Sequence, residues 1–81
     1  MKVRFAEPFS RTYRKLSHET KGNFEKQLKF LARDLRHPSL HAKKYDESND
    51  VWQARVDRKY RFYFQILGET YFILNILKHP E

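Results

Sequence analysis

The last third of the chain carries three apolar/polar alternations in close succession, and few folds accommodate such a pattern. Trp52, Ala54 and Val56 alternate with Gln53, Arg55 and Asp57. Phe62, Phe64 and Ile66 alternate with Arg61, Tyr63 and Gln65, and Phe72, Leu74 and Ile76 alternate with Tyr71, Ile73 and Asn75. A period of two is the signature of strands buried on one face only. Gly68-Glu69 suits a two-residue type II′ hairpin with glycine at positive φ, and Arg58-Lys59 marks the preceding turn. Three short-linked strands make an antiparallel sheet, whose apolar face requires a cover.

The cover is encoded upstream. Met1 to Ala6 alternates, with Val3 and Phe5 against Lys2 and Arg4, and reads as a short strand ended by Glu7-Pro8. Proline suits a first helical turn, and Phe9, Tyr13 and Leu16 then recur at helical spacing, predicting a helix over Pro8 to Leu16. Ser17 is the expected N-cap of a second helix, in which Phe24, Leu28, Leu31 and Leu35 fall on one face. His37-Pro38 stops it, because a residue before proline avoids the α region. Ser39 to Asp50 reads as a basic connecting loop. The expected architecture is α+β in the order β-α-α-β-β-β: a helical hairpin packed on one face of a small, mainly antiparallel, four-stranded twisted sheet. With 81 residues and no internal repeat, residues 1–81 read as a single domain.

Without a cysteine the chain has no disulfide, no thiolate zinc site and no cysteine nucleophile, so its stability rests on packing. Seven Phe, five Tyr and one Trp supply the buried area. Seventeen Lys and Arg against ten Asp and Glu give a formal charge of +7, which fits a polyanion binder and also a merely solvated cationic surface. The longest apolar stretch is too short to span a bilayer, and the start MKVRFAEPF lacks a signal-peptide apolar core. The expectation is a cytoplasmic protein. The His37-x-x-x-His41 spacing resembles half a zinc site, but Pro38 interrupts the helix that would align the two and no third ligand is evident nearby, so no metal or other cofactor is expected.

On this parity the helix-covered face holds Ala54, Val56, Phe62, Phe64, Ile66, Phe72, Leu74 and Ile76. The open face holds Gln53, Arg55, Arg61, Tyr63, Gln65, Tyr71, Asn75 and His79. Guanidinium forks, phenols and amides together suit phosphate and base recognition. Arg61 and Arg55 are candidate phosphate ligands, with a solvated arginine or a cross-strand charge pair as the alternatives. Lys43, Lys44 and His41, in the basic connection, could hold an RNA backbone or simply be hydrated. Tyr63 and Tyr71 are candidates for contact with bases, or for ordinary sheet packing. His79 carries the imidazole expected at the edge of this face, a side-chain type suited to proton transfer near neutral pH.

The order of Trp52-x-x-Arg55-Val56, Tyr60-Arg61-Phe62-x-Phe64 and an apolar strand ending in Lys78-His79, preceded by LARDLRHPSLHAKKY, resembles the RelE/ParE superfamily of type II toxins over essentially the whole chain. The resemblance implies a metal-independent endoribonuclease that cuts mRNA in the ribosomal A site and is silenced by a cognate antitoxin, one that is acidic or supplies a helix and strand. It also implies a monomer when free. In such enzymes a 2′-hydroxyl attacks the adjacent phosphate, which requires cations at the phosphoryl oxygens, a base and an acid. Arg61 occupies the family's Tyr-Arg position as the transition-state cation, His79 the position of the acid or base, and Arg55 a basic position on the preceding strand. The family's glutamate base has Glu47, Asp46 and Asp50 as candidates here, and Gln53 stands where a basic residue is expected. Two further readings share the resemblance: a ParE-like gyrase-poisoning toxin without nuclease activity, and a catalytically inert antitoxin-binding homologue.

Overall fold

Pro8 and Ser17 set the two helix starts. A computed structural model describes residues 1–80. Strand β1 spans Lys2–Phe5, helix α1 Glu7–Arg14 with Pro8 in its first turn, and helix α2 His18–Arg33. The Ser17 hydroxyl accepts from the Thr20 N–H at 3.1 Å, the capping bond that serine at this position supplies. Helix α2 ends at Arg33, slightly before the expected stop, because Asp34 turns the chain: its carboxylate accepts from the Arg36 N–H and its carbonyl from the His37 N–H. The remaining elements are a single 3₁₀ turn at Pro38–Leu40, β2 at Lys43–Asp46, β3 at Val51–Arg55, β4 at Tyr60–Leu67 and β5 at Thr70–Lys78.

The strands form one sheet in the order β1-β5-β4-β3-β2, with β1 parallel to β5 and the other neighbours antiparallel. The two helices cover one face, as the alternation requires. Phe9, Phe24 and Leu31 from the helices meet Ala54, Phe62, Phe64, Ile73 and Ile76 from the sheet, and Phe24 stands edge-on to Phe62 at 5.2 Å. Phe62 and Phe64 are fully buried, each worth about 1.5–3 kcal/mol of transfer free energy. Gly68 takes φ +60° in the β4–β5 hairpin, the positive φ that the type II′ turn demands.

Two expectations change. The sheet has five strands, since the segment Ser39 to Asp50 read as a loop contains β2. Lys43-Lys44-Tyr45-Asp46 has no apolar alternation because β2 is a short edge strand, and lysines on an edge discourage pairing with other chains. The parity of β5 also breaks midway. Tyr63 pairs with Asn75 but Phe64 pairs with Ile73, so Leu74 is an extra residue. Such a bulge exchanges the faces of everything before it. Tyr71 and Ile73 therefore point into the core, while Phe72 and Leu74, expected there, are only half-buried. The Asn75 side-chain oxygen accepts from the Ile76 N–H at 2.9 Å, satisfying a backbone donor beside the bulge.

Candidate functional site

Across the open face, the ladder places Arg55 directly opposite Arg61. Like charges facing each other on adjacent strands repel, and nothing in the sheet requires two guanidinium groups there. They line a depression of about 360 Å³ together with His41, Lys43, Gln53 and His79, and among the described residues no carboxylate lines it. Register explains the convergence. Lys43 pairs with Gln53, so two residues earlier His41 falls level with Arg55, and beyond β5 the His79 N–H donates to the Lys59 carbonyl at the other flank. The strand order thus lays out His79, Arg61, Arg55 and His41 across the sheet.

Backbone holds Arg61 in place. Asp57 closes the β3–β4 turn, its carboxylate accepting from the N–H groups of Lys59 and Tyr60 at 2.8 and 2.9 Å. One Arg61 terminal nitrogen donates to the carbonyls of Asp57 at 2.7 Å and Tyr60 at 3.0 Å, which fixes the guanidinium over the sheet. The Arg55 Nε is buried with no hydrogen-bond partner among the described residues, a costly state for a charged donor. Its strand is pinned from behind by Gln27, whose amide donates to the Arg55 carbonyl at 2.8 Å and the Ser39 carbonyl at 2.9 Å and accepts from the Ser39 hydroxyl at 2.8 Å. Those bonds also anchor the 3₁₀ turn that carries His41, which leaves it in a left-handed conformation at φ 47°.

Nothing in the sequence reading singled out Gln27. Its signal was present: it lies on the stripe of Thr20, Phe24 and Leu31, where a polar residue among buried neighbours implies a satisfied amide.

Other candidates lie elsewhere. Lys44, expected with Lys43, points to the opposite face because consecutive strand residues alternate. It bonds Asp50 at 2.7 Å and sits 5.2 Å from the Trp52 ring, and that bond raises its pKa. Tyr71, expected on the open face for stacking, is 5% exposed in the core, where burial and then the Asp34 charge push its phenol above the usual range. Tyr63 stays on the open face and accepts from the Gln53 amide at 3.2 Å. His37 takes no part in the depression, since its ring stacks on Phe30 at 3.9 Å and its Nδ1 accepts from the Ser39 N–H. No cluster of three or more metal-ligating side chains occurs among the described residues.

Of the three carboxylates considered as a base, none lines the depression. Asp50 is held by Lys44, and Asp46 organises its own loop by accepting from Ser48 and Asn49. Those bonds favour the charged form and hold the Asp46 carboxyl below its usual 3.8. A lowered folded pKa contributes order that is present above the usual value and lost as pH falls through the folded one. The backbone amides of Ser48 and Asn49 are therefore expected to lose hydrogen-exchange protection only below about pH 4, and in Asp46→Ala at every pH.

No protein-family model matches the sequence, and no relative is found among curated proteins. Solved structures do share the fold. A YoeB/ParE toxin from Agrobacterium tumefaciens superposes with a TM-score of 0.83 at 12% identity, covering 99% of this chain and 100% of that one. The isolated E. coli RelE toxin gives 0.77 at 19% identity, covering 99% and 85%. The RelE of an archaeal RelE–RelB complex from Pyrococcus horikoshii OT3 gives 0.79 at 15% identity, covering 95% and 92%. The chain therefore has the RelE/YoeB fold, with its helical pair on a five-stranded sheet.

Proposed function

We propose that this chain is the toxin of a type II toxin–antitoxin pair in the RelE/ParE superfamily, acting as a metal-independent endoribonuclease on mRNA in the ribosomal A site. The observation that carries this reading is the cross-strand Arg55–Arg61 pair in a depression with two histidines and, among the described residues, no carboxylate. Facing guanidinium groups with a buried, unbonded Nε suit a phosphodiester, whose oxygens would satisfy both.

Transesterification follows from that placement. The arginines hold the phosphoryl oxygens and offset the charge that builds on them. A flanking imidazole takes the 2′-hydroxyl proton as the O2′–P bond forms, and the second delivers a proton to the 5′-oxygen as the P–O5′ bond breaks. The products are a 2′,3′-cyclic phosphate and a 5′-hydroxyl. His79 and His41 flank the arginine pair from opposite sides, the disposition that in-line displacement favours, and so His41 fills the role that Glu47, Asp46 and Asp50 do not take. Lys43 adds charge for the RNA backbone.

A cognate antitoxin is the partner, by analogy with the RelE–RelB complex that shares this fold, and a chain of charge +7 favours an acidic one. A cytoplasmic site of action follows from the ribosomal target.

Induced expression is expected to halt growth and to yield breaks within translated codons bearing 5′-hydroxyl ends, and His79→Ala is expected to remove the breaks while leaving the protein folded. The lack of a carboxylate among the described residues of the cleft also suits a ParE-like gyrase poison, so purified gyrase is the discriminating assay. Supercoiling inhibition without RNA breaks replaces the nuclease reading with that one. Normal growth on expression points to an inert antitoxin-binding homologue.

A further inference from the structure

Tyr45 is the large side chain that the fold leaves most conspicuously in water, 62% exposed on edge strand β2. Its placement has a local cause. Alternation from Lys43 puts Tyr45 on the open face, and the edge strand then carries a β-bulge there, since Lys44 pairs with Trp52 and Asp46 with Val51. The ring is turned onto the open face, 4.9 Å from the Tyr63 ring at an interplanar angle of 64°. Tyr63 is in turn held by the Gln53 amide. The inner ring is fixed from two sides, while the outer one stands in solvent.

The pair adjoins the cationic depression. Gln53 and Lys43 line that depression, and Gln53 bonds Tyr63 while Lys43 lies two residues before Tyr45. Two residues along a strand cover about 7 Å, so the aromatic step begins one pleat from the arginine pair. Cross-strand packing alone would account for two touching tyrosines. It does not account for so large a ring left 62% exposed on the open face, two residues from a lysine that lines the cationic depression.

We infer that Tyr45 and Tyr63 form a stacking subsite for an unpaired base of single-stranded RNA, next to the phosphate held by Arg55 and Arg61. The inference rests on the RNA reading above. Aromatic rings accept the π-face of any base, so the subsite positions the strand and tolerates sequence. Tyr45 is thus a positioning residue: it sets which phosphate lies between the two histidines.

The test uses the full chain and a short single-stranded oligoribonucleotide made uncleavable by 2′-O-methyl groups, with one abasic position walked along it. Wild-type protein is expected to bind the intact strand and to lose affinity at one abasic position. Tyr45→Ala is expected to weaken binding of the intact strand by about five- to one-hundred-fold and to make that abasic position neutral, while Tyr45→Phe binds as wild type. Because the ring is exposed, its removal leaves the fold intact, which thermal unfolding checks.

Unchanged affinity in Tyr45→Ala, with Arg61→Ala weakened, overturns the stacking subsite and leaves the RNA reading standing. No RNA binding by the wild type overturns both. If Tyr45→Ala binds RNA normally but loses a protein partner, Tyr45 is a protein contact and the inference fails.

Discussion

Arg61→Ala is expected to slow RNA cleavage by about 10²–10³-fold, the usual loss when one preorganised donor to a developing oxyanion is removed. Preorganisation is the reason for so large a figure. The guanidinium is already fixed by the Asp57 and Tyr60 carbonyls, so little side-chain freedom remains to be lost when phosphate arrives. Its other nitrogens stay available for a second, parallel hydrogen bond. Those carbonyls lie at a turn and can be hydrated in the variant, so the cost in stability should be only about 1 kcal/mol. Arg61→Lys restores charge without the planar fork and should recover only part of the rate. Single-turnover cleavage on programmed ribosomes, read beside thermal unfolding, checks both parts. Undiminished cutting by a folded Arg61→Ala protein would remove Arg61 from the chemistry.

Gln27→Ala should produce the largest loss of stability among polar substitutions, about 3 kcal/mol, because three hydrogen bonds disappear at once and each is worth about 1 kcal/mol. The site is buried, so water does not readily replace the amide at the Arg55 and Ser39 carbonyls. Against a total stability of about 5–15 kcal/mol for a small domain, that is a large fraction. Gln27→Glu tests the assignment of donors: a carboxylate can still accept from the Ser39 hydroxyl but cannot donate to either carbonyl, and should destabilise at least as much. Urea denaturation measures the change. A loss below about 0.5 kcal/mol in both variants is the outcome incompatible with this latch. Because Gln27 ties α2 both to the strand of Arg55 and to the turn before His41, both variants should also weaken RNA binding from a distance.

Much of the fold was legible because it follows from local periodicity. The alternation around Phe62 and Phe64, the Ser17 cap and the Gly68 hairpin each involve neighbours in the chain, and all appear where expected. The open-face placement of Arg55, Arg61 and Tyr63 followed from the same parity. Parity failed at β5, where the Leu74 bulge exchanges faces and sends Tyr71 into the core. An apolar residue on every position from Tyr71 to Leu74 leaves the sequence silent about which of them faces in.

Chain order, charge and strand period are local properties, and they determined by themselves that this is an α+β protein with a cationic open sheet face. Which cations share a site depends on register between segments far apart in sequence. Only the tertiary structure brought His41 level with Arg55 and carried Lys44 to the opposite face, because the pairing of β2 with β3 decides both. Only it revealed the Gln27 latch and the Tyr45 bulge, since hydrogen bonds between α2 and β3, and the extra residue in an edge strand, are settled when the layers pack.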